Sequence, residues 1–204
     1  MAAQETSGNS RLKQVLDGID EINGKDPRII QVQGQDMPYE LAYSKWLTDW
    51  VLKLTSGQEP SEELLIVARG QHVKRWTMPR NSYPDGRAPY LKWREDLKKL
   101  HSQTVVELMK EVGYSSESCK KVEAMMLKKS LKTDPDAQTV EDALCLVFLQ
   151  YQFTDLRLKE PEDKMVDILQ KTWKKMGEKG RAAALELAPN LCSEELALVQ
   201  KALA

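Results

Sequence analysis

The sequence predicts an all-α fold. Apolar residues recur at intervals of three and four almost throughout, no alternating β-branched stretch exceeds five residues, and Pro, Gly and Asn punctuate the periodic runs. The 204 residues are 41% hydrophobic and 30% charged, enough apolar content for a buried core and too much for a disordered chain. Residues 1–10 are small and polar and read as a flexible tail. Residues 11–204 read as a single all-α domain, with a core at about 38–157 and C-terminal helices at 160–203.

Leu12, Val15, Leu16, Ile19 and Ile22 give a first helix that ends near Asn23-Gly24. Residues 24–37 read as a loop or short extended piece, with a turn at Asp26-Pro27. Asp36-Met37-Pro38 opens a second helix, because proline is tolerated in a first turn whose N–H groups have no intrahelical partner. Tyr43, Leu47, Trp50 or Val51, and Leu54 form its face, and Ser56-Gly57 stops it. Ser61 caps a third helix carrying Leu64 or Leu65, Ala68 and His72. Pro79, Pro84, Gly86 and Pro89 break the pattern over 77–89. A fourth helix follows from about Tyr90 to Val112, and a fifth opens at Ser115 or Ser116. A sixth, long and apolar, runs from Thr133-Asp134-Pro135 to about Leu156. Glu160-Pro161 opens a seventh, and two short helices split by Pro189-Asn190 close the chain.

The net charge of −1 argues against a globally basic nucleic-acid binder, and two histidines exclude a site of four or more imidazoles. Cys119, Cys145 and Cys192 form no CxxC pair, which fits a reducing compartment. The first ten residues have no apolar segment, and the longest apolar run is too short for a bilayer. A soluble cytoplasmic protein without a membrane partner is expected; the oligomeric state is not legible.

Scarce polar residues sit on apolar faces. His72 follows Ala68 by four, and His101 lies four after Leu97 and four before Val105. Asp142 precedes Leu146 by four and Leu149 by seven, and Glu40 precedes Tyr43 by three. A bundle could bring Glu40, His72, His101 and Asp142 to one point, where two imidazoles and two carboxylates suit one divalent cation such as Mn, Mg, Fe or Co. Each also has a plainer role: the carboxylates favour helix first turns, and either histidine could be a core residue with one hydrogen bond.

Residues 69–101, which include both histidines, hold nine basic side chains against three acids, a local balance of +6 beneath a net charge of −1. Arg75, Arg80 and Arg87, with Tyr83 interleaved, are expected to contact an anionic substrate, since arginine grips phosphate bidentately. Lys132, just before a helix start, joins this set. The competing reading is a structural loop whose arginines pair with surface acids and stack on its own aromatics.

The strings ELAYSKWLTDWVLKL, ARGQHVKRWTMPRNSYPDGRAPYLKWREDLKKLH, LKKSLKTDPDAQTVEDALCLVFL and DKMVDILQKTWKKM resemble the family named domain of unknown function 4202, over about residues 10–203. That resemblance implies no activity. A more distant likeness is to the HD-domain superfamily of metal-dependent phosphohydrolases, which implies a single HD-like bundle. Glu40 stands for the first ligand, His72 for the dyad histidine, His101 for a later histidine and Asp142 for the late aspartate. The chain departs from that pattern at Val73, where the dyad aspartate belongs. The resulting expectation is a one-metal phosphohydrolase acting on a nucleotide-like phosphate, with Glu141 as proton shuttle. The alternatives are a non-catalytic nucleotide- or RNA-binding protein without the metal, and a structural interaction protein.

Overall fold

The structure is a computed structural model that describes residues 2–129, 131 and 133–203, of which residues 2–10 by backbone alone. Helix α1 (Ala2–Asn23) begins within the stretch expected as a tail and buries Val15 and Ile19 completely. Residues expected as loop or extended chain form an antiparallel hairpin, β1 (Ile29–Val32) and β2 (Gln35–Pro38), with Ile29 opposite Pro38. Its two-residue turn, Gln33-Gly34, has φ 52° and 80°, and positive φ at both turn positions matches the right-handed twist of the strands. Four-residue strands are too short to announce themselves by alternation, and the fold remains all-α.

The helices follow the expected punctuation closely. Pro38 precedes α2 (Tyr39–Leu54), and the Ser61 hydroxyl accepts from the Leu64 N–H to start α3 (Glu62–Gly70). Helix α4 (Arg87–Glu111) starts after Gly86, whose φ of 111° favours glycine. Ser115 caps α5 (Ser116–Met126), and Asp134 caps α6 (Pro135–Val147). Helices α7 (Phe153–Arg157), α8 (Glu162–Lys175), α9 (Glu178–Leu187) and α10 (Ser193–Leu203) complete the chain.

One difference concerns the long apolar helix. Between α6 and α7, residues Phe148–Gln152 form a π-helical turn. Polar and aromatic contacts tie it to α2: Trp50 Nε1 donates to Gln150 Oε1 at 2.8 Å, Tyr151 stacks on Trp46 with centroids 4.1 Å apart, and Gln152 Nε2 donates to the Tyr39 hydroxyl at 2.6 Å.

Helix α2 packs on α3 and α6, α4 on α5, and α1 on α3 and α4, around a core that includes Leu47, Val51, Leu64, Val67, Met109 and Leu146. A second apolar group, Phe153, Met165, Leu169, Leu198 and Ala202, joins α7, α8 and α10. No described helix is long and apolar enough to cross a membrane.

The crossing of α3 over α4 depends on Gly70, where a Cβ would stand 2.4 Å from Val105 Cγ2. Gly70→Ala should therefore destabilise the fold by about 1–3 kcal/mol in urea unfolding, as overpacking does. Combining it with Val105→Ala should cost less than the two single changes added together.

Candidate functional site

A cleft of about 750 Å³ opens among α4, the end of α5, α6 and α8. Its lining includes the buried Gln71, Leu97, His101, Glu141 and Cys145 and the exposed Tyr90, Leu91 and Arg94. Arg75, Arg94, Lys98, Lys128 and Lys175 all line it, against the carboxylates Glu95 and Glu141. Leu144, Phe148, Leu156 and Ile168 supply apolar surface, the second from the π-helical turn and the third from α7.

Glu141 is 5% exposed and forms an ion pair with Lys128, with the Lys175 ammonium 4.0 Å from its other oxygen. Lys128 follows α5 with φ 57°, a left-handed conformation usually left to glycine at a helix end. Its backbone N–H donates to the Met125 carbonyl, so the helix is closed while the side chain turns into the cleft. Lys98 is tied to Glu95 at 2.5 Å, and the Arg94 guanidinium lies 5.9 Å from the Tyr90 ring centre.

Beneath these cations lie Glu40, His72 and His101. Helix α3 stops at Gly70, so His72 stands in the following turn rather than on the helix face. Its ring stacks on Tyr43 with centroids 4.0 Å apart and lies 5.9 Å from the His101 ring. His72 Nδ1 is 3.4 Å from Glu40 Oε2, and Arg75 Nε is 3.7 Å from Glu40 Oε1. Glu40 is 4% exposed, and burial pushes its carboxyl up to about 8 despite Arg75. Burial, helped by Arg75 and Lys128, holds His72 well below its ordinary value. Burial and the neighbouring His72 bring His101 down to about 3. His101 Nδ1 is hydrogen-bonded to the Val73 carbonyl oxygen at 2.6 Å.

Of the residues expected at a site, the structure brings His72, His101, Arg75 and Glu141 to the cleft, with Glu40 directly behind His72. Asp142 is elsewhere. Its Oδ1 accepts from the Gly177 N–H and from Gln138 Nε2, both at 2.8 Å, and it packs against Gly180. Arg80, Tyr83 and Arg87 do not line the cleft. Arg80 donates to the carbonyls of Tyr83 and Pro84, Tyr83 donates to Asp96 at 2.9 Å, and Arg87 is the exposed first residue of α4. The proline-rich loop is thus a strap that holds its own turns and the start of α4. Lys132 lies outside the described residues.

The four ligands expected for a divalent cation do not all converge: Glu40, His72 and His101 lie together and Asp142 apart. Among the described residues no three of His, Cys, Asp and Glu gather in a metal-holding group. Asp142 is committed to the α8–α9 corner, and Arg75 Nε lies 3.7 Å from Glu40 Oε1 while Glu40 Oε2 faces His72. Lining residues that sequence reasoning did not place at a site include Gln71, Arg94, Lys98, Lys175 and Phe148. Tyr90, Arg94, Leu97, Lys98 and His101 do share helical spacing, which is a usable signal; Lys175 and Phe148 carry none.

A family model described as "Domain of unknown function (DUF4202)" matches residues 13–199. No curated protein and no solved structure matches the chain.

The buried ionisable groups set opposing pH dependences. The unfolded chain binds a proton at His101 below about 6.5, whereas the folded chain binds it only near 3. Stability from this group is complete above about 6.5 and is lost as pH falls toward 3. Glu40 acts the other way: its folded value of about 8 exceeds the ordinary 4.5, so stability declines as pH rises between them. In urea unfolding across this range, His101→Asn should flatten the acid slope and Glu40→Gln the neutral one.

Proposed function

The chain belongs to the family described as domain of unknown function (DUF4202), and we propose that its cleft binds a phosphorylated, nucleotide-sized ligand. The observation that carries this reading is the convergence of five Arg and Lys side chains on one cavity of about 750 Å³. Small-molecule sites fall in that size range. Phosphate is the common ligand group whose charge and several acceptor oxygens match guanidinium and ammonium donors together. The apolar residues Leu144, Phe148, Leu156 and Ile168 suit the flat or apolar body of such a ligand.

Binding is favoured over metal-assisted hydrolysis because Asp142, one of the four ligands such a centre would use, is held by the Gly177 N–H and Gln138. A small ligand is favoured over an RNA segment because the polar groups His101 and Glu141 lie deep, at 4% and 5% exposure, where a polymer backbone does not reach. Cytoplasmic residence is part of the same proposal, consistent with Cys119, Cys145 and Cys192 all being free.

Calorimetric titration of the full chain with AMP tests the proposal. Arg94→Ala and Lys175→Ala should each weaken binding about tenfold, as loss of a charge-assisted contact does, and raised salt should weaken the wild type. Absence of AMP and inorganic phosphate binding, or affinities untouched by both substitutions, would overturn it. Bound metal in stoichiometric amount, with binding lost in chelator, would restore the metal-dependent reading.

A further inference from the structure

His101 reaches the cleft from α4 and is 4% exposed. Its Nδ1 faces the Val73 carbonyl oxygen at 2.6 Å. A carbonyl oxygen only accepts, so Nδ1 carries the ring proton and Nε2 presents a lone pair. That Nε2 is buried and has no hydrogen-bond partner within the protein. Gln71, 7% exposed and also lining the cleft, has an Oε1 in the same condition. Two buried, unpartnered acceptors on residues that line one cavity are unfavourable unless a ligand brings donors to them.

The oxygens of a phosphate-ester dianion cannot do so, because they too are acceptors. An ammonium donor is disfavoured by the surrounding Arg75, Lys98 and Lys128. A neutral hydroxyl meets both conditions. Resting on the phosphate-binding reading of the cleft, we infer that the ligand is a phosphate ester whose body carries hydroxyl groups, as a ribonucleotide does, and that His101 Nε2 accepts from one of them and sets specificity. Gln71 Oε1 is the second acceptor. The cations then supply affinity for the phosphate, and the two neutral acceptors discriminate among the bodies attached to it.

The test compares AMP, 2′,3′-dideoxy-AMP and inorganic phosphate by calorimetry on the full chain, in chelator. Wild type should bind AMP about tenfold or more tightly than the dideoxy compound. His101→Asn retains an amide that can donate to the Val73 carbonyl and removes the acceptor at Nε2. It should collapse that gap while leaving inorganic phosphate binding within about twofold. Gln71→Leu, a second variant should the first fail to fold, should narrow the gap in the same way. Equal wild-type affinity for the two nucleotides, or a gap that survives both substitutions, overturns this inference and leaves the phosphate reading standing. Failure of phosphate and both nucleotides to bind overturns the phosphate reading and this inference with it.

Discussion

Two consecutive buried carboxylates on α6 decide how the C-terminal helices meet the rest of the molecule. Successive residues of a helix point about 100° apart, so Glu141 and Asp142 face different neighbours. Asp142 clamps the corner between α8 and α9 through the Gly177 N–H, and Gln138 reinforces it by donating to both Asp142 and the Lys175 carbonyl. Gly180 is part of the same clamp, since a Cβ there would stand 2.5 Å from Asp142 Cγ. The clamp fixes the end of α8, and so fixes Lys175 near Glu141. Glu141, in turn, needs cations, because an unpaired buried carboxylate is strongly destabilising. One of the cleft's cations, Lys175, is therefore placed by how α8 docks.

Backbone conformation is spent in the same place. Among described non-glycine residues, Gln33, Lys74 and Lys128 have positive φ. Gln33 is explained by its hairpin turn. The other two border the cleft: Lys74 precedes Arg75, and Lys128 is itself a lining residue. A left-handed non-glycine residue costs on the order of 1 kcal/mol, and such positions cluster where surrounding structure requires a particular side-chain placement. At Lys128 a glycine would close α5 more easily but would leave Glu141 without its nearest cation.

Much of the fold is legible in the sequence, and the site only partly. Ser61, Ser115 and Asp134 mark helix starts because a short polar side chain before an apolar periodic run has one physical use. The inward position of His101 follows from its spacing to Leu97 and Val105. His72 does become a cleft residue, but by way of a turn, since α3 ends two residues earlier than periodicity implies. Asp142 misleads for a specific reason: spacing says that a carboxylate is buried but not what neutralises it, and a backbone N–H thirty-five residues away is invisible to local pattern. The arginines of the proline-rich loop mislead similarly. Arg80 spends its donors on the carbonyls of its own turns, so a high local charge does not equal an available one.

The two histidines take on a definite meaning within this field. Burial and the cations around them both oppose protonation, so neither contributes positive charge near neutral pH. The cleft's charge then rests on Arg and Lys side chains. What the imidazoles can offer is a fixed tautomer: with Nδ1–H held by Val73, His101 can only accept at Nε2. A neutral acceptor at the floor of a cationic cavity repels nothing that the cations attract, yet it leaves a ligand without a donor unrewarded at that point. Under the proposed ligand binding, attraction and selection fall to different side chains, and a change in one can be measured without disturbing the other.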